Sequence, residues 1–128
     1  MDPITGSGIK RERRKDFSGL LNIPEIEAVA IVSAEGFPIA SVLPQGVDET
    51  KIAAMTVALL SLAEKSFIEM KKGEFDQLYV KRSDGYLLIL QAGPNAVLIV
   101  STTKMSDVRL ELISLDCKQI CKKIANLV

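Results

Sequence analysis

Few residues in this chain have the type and spacing for covalent chemistry. Cys117 and Cys121 stand four apart in a helical stretch, and the 128-residue sequence contains no histidine. Two cysteines alone cannot complete a zinc site, and their helical spacing aims them poorly for a mutual disulfide; they read as buried apolar filler. The absent histidine removes Ser-His-Asp and Cys-His nucleophiles, histidine acid–base catalysis and the usual catalytic zinc sites. The carboxylate pairs Glu25/Glu27 and Asp48/Glu49 fall in loops or at helix starts, where solvation and helix-dipole support explain them. Lys51, Lys65 and Lys104 have no neighbour that would depress a pKa. Gln91 reads as a satisfied polar group beside a hairpin. Gly36, Gly46, Gly85 and Gly93 are isolated turn residues, and no Gly-rich phosphate loop precedes a helix, so no nucleotide or other cofactor is expected. The expectation is a protein that works by contact.

Composition agrees with that. Hydrophobic residues make up 48% and charged residues 25%, as in an ordinary globular domain. Sixteen basic and sixteen acidic residues give zero net charge, which argues against binding nucleic acid over the whole surface. The basic stretch Lys10–Lys15 has no interleaved aromatic residue and reads as a solvated face or tail. No apolar run approaches the roughly 20 residues that span a bilayer, and the start lacks a signal pattern; a cytoplasmic location is expected. Residues 1–8 read as a tag-like or disordered leader, partly an expression-vector remnant, and residues 9–128 as a single domain.

The elements follow from pattern. Charged residues 9–16 lead into Phe17, Leu20 and Leu21, a short first helix ended by Asn22-Ile23-Pro24. Ala28–Val32 is apolar on both alternations and so covered on both faces. Ala34-Glu35-Gly36 turns into Phe37–Leu43, which Pro38 assigns to a sheet edge. Pro44-Gln45-Gly46 closes the hairpin, and Asp48 is a natural N-cap for a helix over Glu49 to Lys72. Gly73 would end that helix in the left-handed conformation. Phe75–Arg82 reads as a second edge strand with charged ends. Asp84-Gly85 suits the positive φ of a hairpin turn. Tyr86–Leu90 and Ala96–Val100, joined at Gly93-Pro94-Asn95, are central strands. Ser106 or Asp107 starts a last helix with Leu110, Ile113, Cys117, Ile120, Cys121 and Ile124 on one stripe.

The long helix is the most informative. At 100° per residue, Leu62, Met55, Leu59, Ile52, Met70, Phe67, Leu60, Val57 and Ile68 cover roughly 240° of the wheel, leaving a narrow polar strip of Ser61, Lys65, Glu69 and Lys72. A helix lying on one sheet needs little more than about 100°. The surplus must be buried against the first helix or against a partner subunit.

In order along the chain, Glu27–Ala40 (apolar strand, acidic-Gly turn, then an apolar-Pro-apolar-Ala strand), the Ala/Leu-rich helix Ala53–Lys65, Asp84-Gly85-Tyr86 and Ala92–Leu98 together resemble the roadblock (dynein light-chain) family, especially its prokaryotic, archaeal-like members. The similarity runs from about Pro24 to Leu127. It implies an α+β fold of order α-β-β-α-β-β-β-α, with a five-stranded antiparallel sheet and helices on both faces. It implies a symmetric homodimer, or pairing with another roadblock-type subunit, in which the long second helices pack together and the third strands pair edge to edge. The interface positions would be Leu60, Phe67, Ile68, Met70, Phe75, Leu78, Tyr79 and Val80. Ile52, Met55, Lys65 and Glu69 would contact a further partner. The family's members are non-enzymatic platforms that bind small Ras-like GTPases, some bacterial ones as GTPase-activating proteins, or that serve in motor and signalling complexes. The first helix here is shorter and more charged than the family's usual leucine-spaced one. A small-molecule sensor module of the same architecture is the alternative.

Overall fold

A computed structural model describes residues 17–73 and 77–127. The elements are α1 (Ser18–Leu21), β1 (Ile26–Ser33), β2 (Pro38–Val42), α2 (Glu49–Glu69), β3 (Gln77–Arg82), β4 (Gly85–Gln91), β5 (Ala96–Thr103) and α3 (Asp107–Ala125). The strands form one antiparallel sheet in the order β2-β1-β5-β4-β3. The three doubly apolar runs are the central strands, and the two strands marked by proline or by terminal charge are the edges. The reason is desolvation: a strand apolar on both alternations needs cover on both faces.

Alternation divides the core into two layers. Val29 and Ile31 of β1, Leu98 and Val100 of β5 and Leu88 and Leu90 of β4 pack with Phe17, Leu20 and the α3 stripe Leu110, Ile113, Cys117, Cys121 and Ile124. Ala30, Val32, Val97, Ile99 and Ile89 point the other way, to Ala53 and Leu60 of α2. Helices thus cover both faces.

The caps follow the sequence. Asp48 accepts backbone hydrogen bonds from Thr50 (2.9 Å) and Lys51 (3.3 Å), and Ser106 accepts one from Arg109 (3.1 Å), which starts the last helix at Asp107.

Two turn assignments are corrected. The long helix ends at Glu69, before Lys72, and the left-handed residue after it is Lys71 (φ 56°), not Gly73. Gly85 does not take positive φ; it opens β4 after the two-residue turn Ser83-Asp84. Its glycine is required by approach: a Cβ there would lie 2.0 Å from the Thr102 carbonyl oxygen. The third strand is seen from Gln77 onward, and Phe75 lies outside the described residues.

Candidate interaction surface

Both cysteines are buried and unpaired by disulfide, with thiols pushed up to about 12 by burial. They act as packing atoms under α3. Gln91 donates to the Gly93 carbonyl at 3.1 Å, which satisfies it beside its hairpin. Glu25 is a structural partner that its sequence context does not reveal: Arg109 Nε and Nη2 reach its two carboxylate oxygens at 2.9 and 3.0 Å across 84 residues. That hydrogen bonding holds the Glu25 carboxyl below its ordinary range. Glu49 accepts from Ser41 Oγ at 2.8 Å, which ties the start of α2 to β2.

The feature that stands out is α2. Its 21 residues extend about 31 Å, whereas five strands span about 19 Å between outer axes. The chain enters the helix from β2 at one edge and leaves it for β3 at the other, so α2 outruns the sheet it crosses. Its buried residues are Ala53, Thr56 and Leu60, and after Leu60 none is buried. Met55, Leu59, Leu62 and Met70 form an exposed apolar stripe, with Leu62 62% and Met70 68% accessible; Ile68 is 72% accessible. Phe67 is also exposed.

The predicted interface positions therefore divide. Phe67, Ile68 and Met70 are brought together at the overhanging end of α2. Leu60 turns into its own sheet, against the layer of Ile89 and Val97. In β3, Leu78 and Val80 face the α2 side, Leu78 packing on that layer. Tyr79 points to the opposite face, where its hydroxyl donates to Ser114 Oγ at 2.9 Å, Ser114 Oγ donates to Gln77 Oε1 at 3.0 Å and the Gln77 amide donates to Tyr79. Of the expected partner contacts, Met55 lies on the exposed stripe. Lys65 and Glu69 lie on the outer ridge of α2. Ile52 instead lines a cleft of about 390 Å³, with Ala28, Val29, Leu43, Pro44, Val47, Leu87, Ile99, Glu27, Arg82 and Ser101.

The two sheet edges differ. β2 begins with Pro38 and opposes a β1 irregularity at Ile31/Val32, both devices that discourage further strand pairing. Among the described residues β3 pairs with β4 alone, contains no proline, and carries Leu78-Tyr79-Val80 at its middle. Its outer backbone groups are available to another strand.

An uneven pair of edges and a helix longer than its sheet leave apolar surface and an open strand on one side of a two-faced antiparallel core. A family model of the Roadblock/LC7 domain matches residues 14–102, and the chain belongs to that family. The archaeal protein MJ1340 of Methanocaldococcus jannaschii is 30% identical over 99 residues, covering 77% of this chain and 84% of the relative. Among solved structures, a Roadblock/LC7 domain from Streptomyces avermitilis superposes with a TM-score of 0.75 at 20% identity, over 86% of this chain and 92% of that one. The gliding protein MglB from Thermus thermophilus superposes with a TM-score of 0.76 at 12% identity, over 94% and 90%. These likenesses show the fold. Among the described residues no helix is long and apolar enough to cross a membrane.

Proposed function

We propose that this chain is a non-enzymatic homodimeric platform that binds a small Ras-like GTPase and regulates or tethers it. One observation carries the dimer: the apolar end of α2, at Phe67, Ile68 and Met70, extends past the sheet beside the open edge of β3. A second copy related by a two-fold axis at β3 would add cover to both. Its β3 would satisfy the free edge, and its sheet would cover the overhanging helix. Each large side chain so covered contributes about 1.5–3 kcal/mol, so a handful suffices for association at micromolar concentration.

The GTPase is the partner that membership of this family suggests for the joined α2 helices, with Lys65 and Glu69 on their outer ridge. Polar groups flanking an apolar surface are the usual composition of a reversible protein contact. Sedimentation equilibrium of the wild type at micromolar concentration should give a dimer, and Ile68→Glu should give a folded monomer. A stable Ile68→Glu dimer would overturn this interface. Pulldown with Ras-like GTPases of the same organism in both nucleotide states tests the partner: retention that depends on nucleotide supports the platform, and no retention in either state removes it.

The cleft beside Ile52 favours one competing reading, a small-molecule sensor, since Glu27, Arg82 and Ser101 add polar groups to an apolar lining. A thermal-shift screen decides between them: ligand stabilisation without GTPase binding would replace the platform by the sensor.

A further inference from the structure

Antiparallel pairing lays two rows of side chains across the face of the sheet that α2 crosses. Ala30, Ile99, Ile89 and Leu78 form one row, packed with Ala53 and Leu60 of the helix. Ala28, Ser101, Leu87 and Val80 form the next. Along this second row exposure grows: Ala28 is buried, Ser101 and Leu87 are half-buried and Val80 is exposed. The helix does not cover it fully, and the small side chains of Ala28 and Ser101 hollow its centre. Leu43, Val47 and Ile52 border the hollow. The cleft so formed holds about 390 Å³, near the lower end of the roughly 300–1,000 Å³ usual for small-ligand sites.

A β-bulge supplies part of the polar rim. Ile26 pairs with Thr102 and Ala28 with Ser101, so Glu27 is an extra residue with no counterpart on β5. Under strict alternation Glu27 would share the face of Val29 and Ile31, in the layer beneath α3. The bulge gives that face to Ile26 instead, and Glu27 lines the cleft beside Ala28. Among the described residues, neither the Glu27 carboxylate nor the Ser101 hydroxyl has an internal partner. Arg82, also at the rim, is engaged by Asp84, with Nε 2.6 Å from Oδ1. A free carboxylate, a free hydroxyl and a neutralised guanidinium around an apolar hollow suit a cationic head on an apolar body.

We propose that this cleft binds a small primary amine with an apolar body, its ammonium group held by Glu27 and Ser101. This rests on the reading of the cleft as a ligand site, and it leaves the platform standing. Ile52 lies about 22 Å along α2 from Phe67, away from the overhanging end. The apolar body displaces water from Ala28, Leu87 and Ile99, and the ammonium donates to the Glu27 carboxylate and the Ser101 hydroxyl. A ligand carboxylate would meet Glu27 as a like charge and find Arg82 already paired.

The experiment titrates the full-length chain with butylamine, hexylamine, hexanol and hexanoate, followed through backbone amide signals in two-dimensional NMR. Hexylamine should shift the signals of Ala28, Ser101, Leu87 and Ile52. It should bind about tenfold more tightly than butylamine, since each added methylene contributes about fourfold. It should also bind about tenfold more tightly than hexanoate, for which attraction becomes repulsion. Glu27→Gln, at an exposed position, should weaken hexylamine about threefold and narrow its advantage over hexanoate. Ser101→Leu should fill the hollow and abolish binding of every probe; if that variant does not fold, Glu27→Gln decides alone. Equal affinity for amine, alcohol and acid, or no effect of Glu27→Gln, would overturn the amine assignment while the apolar cleft stands. Absence of cleft shifts with every probe would overturn the site itself. Neither result bears on the dimer, which sedimentation equilibrium of the ligand-free chain measures separately.

Discussion

Helices α2 and α3 are of similar length, 21 and 19 residues, yet they use their side chains differently. Burial in α3 takes in Leu110, Ile113, Ser114, Cys117, Cys121 and Ile124, one continuous stripe along the whole helix. The more apolar α2 buries Ala53, Thr56 and Leu60, all in its first twelve residues. Hydrophobic content and burial run in opposite directions between the two. A helix whose apolar residues are spent on its own sheet is structural. One whose apolar residues remain exposed over two further turns has surface to offer a second chain, as the proposed dimer requires. The same contrast separates β2, blunted by Pro38, from β3, which is open.

Substitutions on either helix put that contrast to the test. The largest effect is expected at Ile113, fully buried beneath α3. Ile113→Ala should cost about 2–5 kcal/mol through lost transfer energy and a residual cavity. Chemical denaturation should show that loss at every protein concentration. Leu62→Ser on the exposed stripe of α2 should change the stability of the isolated chain by no more than about 0.5 kcal/mol, while lowering the melting temperature at high protein concentration, where the proposed dimer would form. If Leu62→Ser destabilised the dilute chain as much as Ile113→Ala does, the division between structural and interface helix would fail.

The caps test whether the first turn of α2 is held as firmly as that of α3. Asp48→Ala and Ser106→Ala should each cost about 1 kcal/mol, since each removes a side-chain acceptor for otherwise unpaired backbone N–H groups. Comparable losses in urea titrations would show that the difference between the helices lies in their later turns.

The smallest effect is expected at Glu25. Its carboxyl pKa is lowered in the folded chain, so the stability contributed by its pairing with Arg109 is present above the unfolded carboxylate pKa. It is lost as pH falls through the folded value. Glu25→Gln should therefore flatten the fall in melting temperature between neutral pH and about pH 3. An unchanged acid slope would mean the pair is absent in solution.

Much of the architecture was legible because desolvation writes itself into local pattern. The double alternation of Ala28–Val32, Tyr86–Leu90 and Ala96–Val100 marked three central strands, and Pro38 marked an edge through its missing N–H. Asp48 carried its cap in plain view, whereas the start of the last helix lay open between Ser106 and Asp107 until the structure made Ser106 the cap. The 240° apolar arc of α2 showed that more surface existed than one sheet could cover. Turn detail was less legible. Asp84-Gly85 suggested a positive φ, but Gly85 is needed because the Thr102 carbonyl oxygen comes too close for a Cβ, a contact 17 residues away. Lys71 rather than Gly73 took the left-handed position.

How the apolar arc is divided emerged only when distant segments packed together. Packing turned Leu60 inward onto Ile89 and Val97, pointed Tyr79 to the face opposite Leu78 and Val80, and joined Glu25 to Arg109 across the fold. Separation in the chain accounts for this: period and propensity act over a few residues, whereas these relations depend on which distant surfaces the sheet brings within contact distance. That this protein has more apolar helix than it can bury is a property of its residue order alone. Where that surplus is exposed is a property of the folded sheet.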